Sequence, residues 1–392
     1  MSIRMFISLL SALGILTFSS GCNAPPQSGG TVNIAEALSS DTGDDCHEKA
    51  TEPGIIDFPD DLGAHESFKT EWWYYTGNLK TETGRHFGFQ LTFFRQALDC
   101  EKRLDDLPVE DASAWRTRQL YFAHFAVTDT QNRKFYSAQR MNRGSLGIAG
   151  VQSAPFKAWI DDWQAVQVKA NGDTLRLTAR ARAENQPDAP QFSIHLTLTR
   201  QKPVILQGDR GLSRKGPGLP DASHYYSFPG MAAQGVVSVS GETTKASGHA
   251  WFDHEWSTSA LGSDVAGWDW FALRINEGPN AGTDLMVCQV RRRDGRPNGY
   301  GFGAVSYPDG SYDILSESDF SIEAHRTWTS PATGRTYPSQ WTIRLESSGL
   351  SLQVAPVVAA QEHSGMFPYY EGAVDVQTPH GGGLGYVEMT GY

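Results

Sequence analysis

The segment Trp251-Phe252-Asp253-His254-Glu255-Trp256 sets three groups able to give or take a proton between two indole rings. If it is extended, Asp253 and Glu255 share one face and His254 points the other way, because side chains alternate along a strand. The two carboxyls then stand roughly six to seven ångströms apart, at a rise of about 3.3 Å per residue. Carboxyls at that spacing can differ in pKa and divide acid and base work. A salt-bridged domain junction, with Arg95 or Arg291 as partner, accounts for the same residues, and the sequence leaves both readings open. A second stretch, Glu71-Trp72-Trp73-Tyr74-Tyr75, puts a carboxyl ahead of four aromatic rings. Trp72 and Tyr74 face one side and Trp73 and Tyr75 the other, one pair inside a barrel and one covered by a partner domain. Glu71 is expected at a strand mouth or desolvated with a raised pKa. His124 shares a face with Phe122 and Ala126, which suits a hydrogen-bonded core histidine as well as a site residue.

Other chemistries lack their signatures. The chain has no Gly-x-Ser-x-Gly elbow, His-Glu-x-x-His pair, phosphate loop or Gly-x-Gly-x-x-Gly turn, and its cysteines show no zinc spacing. The expected chemistry uses neither metal nor cofactor. A net charge of −11 argues against nucleic acid or an anionic lipid surface as partner.

The elements that must position these residues are strands. Apolar residues recur at every second position in 87–95, 120–129, 164–170, 173–181 and 192–200, and again in 267–275, 284–291 and 340–347. Asn171-Gly172 marks a turn between two of these runs. No stretch sustains a helical period, so the chain is all-β, of the barrel or sandwich kind. An internal repeat is visible: 72–95 and 268–292 each run from an aromatic strand through a glycine turn to an apolar strand ending in Arg. About eight strands per half suit a closed sheet that holds its own side chains or one small ligand. Eleven Trp and fourteen Tyr exceed what two small cores need, and the surplus is read as a ligand surface.

The N-terminus reads as an export signal. Arg4 precedes a short apolar run, too short to span a bilayer, and the small residues Ser19-Ser20-Gly21 lead to Cys22. Residues 1–21 are expected to be a lipoprotein signal peptide, with Cys22 the lipidated residue, though a plain signal peptide fits too. Residues 22–51 are polar and read as a flexible tether. The expected location is the bacterial cell envelope, lipid-anchored and facing the periplasm, on the outer membrane, with the lipid as sole membrane contact. In that oxidising space Cys46 and Cys100 are expected to pair, stabilising the fold by roughly 4 kcal/mol. Cys288, on one face with Met286 and Val290, is expected as a buried thiol. The domains are expected at 52–240 and 241–392.

Several motifs occur together and in order: EWWYYTGNL with GRHFGFQLTFFR, SHYYSFPGMAAQGVVSVSG, SGHAWFDHEWSTS with GWDWFALRI, and YYEGAVDV with GLGYVEMTGY. Over about residues 65–392 the chain thereby resembles the AttH-like and carotenoid-hydratase (CrtC-type) family of tandem lipocalin-like barrel proteins, often described as predicted secreted hydrolases. The resemblance implies a hydrophobic, isoprenoid- or lipid-like ligand near the interdomain junction. In the hydratase version a carboxylic acid protonates a trisubstituted double bond, aromatic faces hold the tertiary cation, and water adds. By motif position it implies Asp253 as the acid, supported by Glu255 and His254, with Glu71 and His124 carried over more loosely. Trp72, Trp73, Tyr74, Tyr226, Trp251, Trp256, Trp268, Trp270, Tyr370 and Glu371 would then form the ligand surface. The expected function is hydration or hydrolysis of that ligand, or its carriage or sensing with the acidic motif as a clamp.

Overall fold

The computed structural model describes residues 46–98, 117–168, 172–218, 221–258, 261, 264–346 and 348–392. Cys22 and the signal segment lie outside these residues. Cys46 is disulfide-bonded, and Cys100 lies outside the described residues. No helix among the described residues is long and apolar enough to cross a membrane.

The alternating runs form two antiparallel sheets, of thirteen and ten strands among the described residues. Each follows one rule. Successive long strands pair as neighbours, one seam interrupts the order, and the last strand returns to pair with the first. In the first sheet the meander Thr70–Lys80, His86–Ala97, Gln119–Asp129 and Lys134–Arg143 stops at the seam. The chain resumes at Ala149–Gln152 and runs to Glu242–Ser257, which lies against Thr70–Lys80. In the second, Val265–Ile275, Asp284–Arg292, Phe302–Ser306 and Tyr312–Ser316 precede the seam. The last strand, Gly381–Met389, pairs with Val265–Ile275. The two hairpins expected as a repeat occupy equivalent places in this shared order. Each sheet curls around its own apolar interior, giving two nearly closed, lipocalin-like barrels.

The expected boundary at 240/241 needs correction. Ser240 and Gly241 both have positive φ, 52° and 87°, as a two-residue hairpin turn requires. They join Ala222–Val239 to Glu242–Ser257, and both strands belong to the first sheet. The first barrel therefore runs to Ser257, and the second begins at Val265. The end of the expected tether is also ordered: Ala50 is buried, and the Glu48 amide donates to the Ser67 carbonyl at 2.9 Å.

Between the barrels the sheets meet outer face to outer face. The seam is a third apolar cluster that includes Tyr74, Tyr225, Trp251, Trp270, Met286 and Tyr386.

Candidate active site

One wall of the site is written by register. Tyr74 lies opposite Asp253 and Trp72 opposite Glu255. On the other flank of the same strand, Ser227 lies opposite Asp253 and Tyr225 opposite Glu255. Alternation sends Trp251, Asp253 and Glu255 out to the second barrel, and Phe252, His254 and Trp256 into the first. The facing wall obeys the same period. Trp268 and Trp270 pair with Val290 and Cys288, and Cys288 with Phe302. Trp270 lies opposite Glu388, which lies opposite Glu371. Together these walls border a cavity of about 60 Å³ lined by six aromatic rings, with Asp253, Glu255 and Glu388 as its carboxyls and Lys215 as its ammonium. Tyr74 meets Trp270 edge to face, ring centroids 5.1 Å apart.

The three carboxyls of this cavity differ in environment. Burial pushes Asp253 up to about 7, against hydrogen bonds that favour its charged form. Oδ1 accepts from Ser227 Oγ at 2.5 Å and Trp251 Nε1 at 2.7 Å. Among the described residues Oδ2 is buried with no donor in close hydrogen-bond geometry, while the Tyr225 hydroxyl stands near enough to the carboxyl to favour its charged form. A carboxyl that is about half neutral at pH 7, with Oδ1 already accepting two hydrogen bonds, carries its acidic proton on Oδ2. Glu255 is compensated instead: Lys215 Nζ stands 3.1 Å from Oε1, and Ser223 Oγ donates to the same oxygen. The same ammonium lies 3.7 Å from the centre of the Phe302 ring. Across the cavity Glu371 and Glu388 form a carboxyl pair. Burial and then the charge of Glu388 lift Glu371 well above the ordinary range, and burial pushes Glu388 up to about 7. Tyr74 Oη donates to Glu371 at 2.9 Å and Trp268 Nε1 to Glu388 at 2.7 Å.

Glu71 and His254 occupy a different place, inside the first barrel. Glu71 accepts from Arg95 Nε at 2.8 Å and contacts His65 Nδ1 at 2.7 Å and His254 Nε2 at 2.9 Å. Its expected raised pKa is corrected: burial alone would raise it, but the Arg95 guanidinium and the two imidazoles hold it well below the ordinary value. His65, Glu71 and His254 present donor atoms within 4.8 Å of one another. Those atoms are already bonded to each other and share their carboxylate with a guanidinium, so the arrangement is an ion-pair network. His65 also stacks flat on Trp256, centroids 3.7 Å apart. Burial lowers the His65 pKa, but hydrogen bonds to Asp61 and Glu71 more than offset this and lift it to about 9. The folded chain therefore holds a proton that the unfolded chain releases near 6.5. The stabilisation is whole below pH 6.5 and is lost as pH rises through about 9. Denaturant titrations should show a loss of about 3 kcal/mol across that window, absent in His65→Gln; equal slopes for the two proteins would refute the assignment.

The remaining expected residues divide by face. Trp72, Tyr74, Trp268 and Trp270 line the cavity, Trp251 holds Asp253 from its edge, and Glu371 backs Glu388. Trp73 and Trp256 belong to the first barrel's interior, and Trp73 donates its indole N–H to the Leu62 carbonyl at 3.0 Å. Tyr226 is also interior, with its hydroxyl on the Asp61 carbonyl and 3.0 Å from His254 Nδ1; Tyr225 is the cavity residue. Tyr370 likewise points into the second barrel. His124 sits apart from Asp253, in an aromatic cluster with Phe94 and Phe122, its Nδ1 2.7 Å from Tyr369 Oη. Burial keeps its pKa well below the ordinary value. Of the proposed clamp partners, Arg95 binds Glu71 and Arg291 binds Asp269 at 3.2 Å; neither pairs with Asp253. Lys215, Tyr225, Ser227, Phe302 and Glu388 were not singled out by sequence. Only Glu388 carried a cue, a carboxylate on the closing strand of an otherwise apolar motif.

Comparison with known proteins agrees with this architecture. The AttH-like family profile matches residues 49–392. The crystal structure of an AttH protein from Nitrosomonas europaea is 32% identical, with a TM-score of 0.73, covering 88% of this chain and 99% of that one. Kievitone hydratase from Nectria haematococca shares the fold at 14% identity and a TM-score of 0.61, over 88% of this chain and 96% of that one. A comparison with curated proteins finds no match. With the family profile covering nearly all the described residues, and a third of positions shared with a like-folded AttH structure, the chain belongs to the AttH-like family.

Proposed function

We propose that this protein adds water to a carbon–carbon double bond of a hydrophobic, isoprenoid- or lipid-like small molecule, using Asp253 as the acid. The observation that carries this reading is the Asp253 carboxyl itself: buried, raised to about 7, and without a close donor at Oδ2 beside an aromatic cavity. The proton on Oδ2 passes to the less substituted carbon, and the π electrons form the new C–H bond. The positive charge left on the neighbouring carbon is stabilised by the faces of Trp72, Tyr74 and Trp270. Water attacks that carbon, and the proton it sheds returns to the Asp253 carboxylate, which restores the acid without a cofactor. The kinship of fold with a hydratase supports the reaction class. A carrier is the second reading, favoured by the Lys215–Glu255 ion pair, in which one carboxyl of the acidic motif acts as a clamp.

Native mass spectrometry of the purified protein, followed by incubation of the released ligand with fresh protein in ¹⁸O-water, separates the two. A product heavier by one labelled water supports hydration, and a ligand that binds and returns unchanged supports carriage. We also propose anchoring through lipid on Cys22, on the strength of the leader sequence alone. Cys22→Ser should move the protein from membranes to the soluble fraction; sedimentation of the variant with salt-washed membranes would overturn this.

A further inference from the structure

The face that carries the cavity does not end there. Along four strands the next residues in two-residue steps enter a second space. Trp72 and Tyr74 are followed by Thr76 and Asn78, and Glu255 and Asp253 by Trp251 and His249. Trp268 and Trp270 are followed by Ala272 and Arg274, and Glu388 by Tyr386. The registers keep these steps level: Thr76 lies opposite Trp251, Asn78 opposite His249, and Ala272 opposite Tyr386. This continuation is a groove of about 280 Å³ between the same two sheets. The cavity and the groove thus follow one another along the same interface, and Trp251 stands between them, lining the groove while its indole N–H holds Asp253.

The two spaces differ in chemistry. In the residues of the groove wall, Thr76 Oγ1, Tyr386 Oη and Arg274 Nε are buried and have no hydrogen-bond partner among the described residues. Thr76 and Tyr386 are each 1% exposed, so all three polar groups bear a desolvation cost that a ligand could relieve. Charge in and behind the wall is unbalanced toward cations. Arg274 Nη1 binds Asp284 at 2.7 Å, Lys202 binds the same carboxylate at 2.7 Å, and Lys80 also lines the groove. His249 adds no positive charge near neutrality, since burial and the neighbouring Arg274 lower its pKa. Gly230, at a positive φ of 55°, lets the backbone come close to the Arg274–Asp284 pair; a Cβ there would lie 2.4 Å from Asp284 Oδ2.

We infer that this groove is the seat of a carboxylate head group, so that the ligand is an amphipathic acid whose apolar part extends toward the Asp253 cavity. The inference rests on the hydration reading only for what occupies the cavity. A carboxylate there accepts from the Arg274 guanidinium, with the Thr76 and Tyr386 hydroxyls as further donors along the same wall.

Isothermal titration with straight-chain alkanoic acids and the alcohols of equal chain length tests it. The acids should bind roughly tenfold or more tightly than the alcohols. Tyr386→Phe and Thr76→Val should each weaken acid binding several-fold without lowering the melting temperature, because each hydroxyl is buried with no partner among the described residues. Arg274→Gln should remove the acid-over-alcohol preference. Equal affinity for acids and alcohols would overturn the inference, as would a preference that survives Arg274→Gln. Hydration assayed alongside in the parent protein keeps the two readings apart: a head-group preference without hydration of any ligand counts against the enzyme alone, and hydration without the preference counts against the groove alone.

Discussion

Asp253→Asn is expected to lower turnover by roughly 10²- to 10⁴-fold, the usual worth of a positioned acid, and to flatten the pH dependence of stability. The folded protein keeps the Asp253 proton up to about pH 7, whereas the unfolded chain gives it up near 3.8. Stability therefore falls as pH rises through that window, by about 4 kcal/mol in all. Asn has no proton to keep. Its side-chain oxygen can accept from Ser227 and Trp251 as Oδ1 does, while its NH₂ takes the place of Oδ2 at a cost that does not vary with pH. Relative to the parent, the variant should thus gain stability steadily from pH 4 to pH 7. A clamping carboxylate does the reverse, since its ion pair is present at pH 7 and lost in acid. Urea titrations at the two pH values decide the matter, and a variant that loses ground as pH rises refutes the acid assignment.

Arg95→Ala carries the largest expected cost in stability, about 3–5 kcal/mol, because it removes the permanent cation of a buried ion-pair network and leaves Glu71 to His65 and His254 alone. The guanidinium is fully buried and also donates to the His65 and Phe68 carbonyls at 2.7 and 2.8 Å. Glu71→Gln in the same chain should recover part of the loss, since it removes the carboxylate charge. A single-variant cost below about 1 kcal/mol in chemical unfolding would show that the network is not a structural centre. Because Glu71 and Asp253 lie on opposite sides of one sheet, the two substitutions should be close to additive.

Alternation made the faces legible. From the order of letters alone, Trp72 and Tyr74 separate from Trp73 and Tyr75, and Asp253 and Glu255 from His254, as the structure has them. What alternation cannot say is which of two adjacent residues faces which surface when both are tyrosine. A shift by one reverses every assignment, and that is how Tyr226 and Tyr370 stand in the barrels while Tyr225 and Glu371 stand at the junction. The turn at Ser240-Gly241 looks like a domain limit because its glycine-rich surroundings are the same in either case; only the pairing of Glu242–Ser257 with Thr70–Lys80 shows that the first barrel is unfinished there. Arg95 meets Glu71 rather than Asp253 because strand pairing, which spacing in the sequence does not reveal, sets the two opposite each other. Lys215 reaches Glu255 from a three-residue strand, Leu212–Arg214, and the loop after it, which no periodicity describes.

The strand that bears Asp253 is also the strand that closes the first barrel, meeting a partner that leaves the ribosome almost two hundred residues earlier in the chain. Pairing over so long a stretch of chain is slow and comes late, since the loop must be closed before the contact can repay it. The acid is thus withheld from its apolar surroundings until the first barrel is complete. A nascent or half-folded chain presents Asp253 to water, where it ionises like any surface aspartate and has no proton to give. Proteolytic loss of residues 242–257 would then silence the chemistry and open the barrel in one event, making the integrity of the fold its own quality check on reactivity.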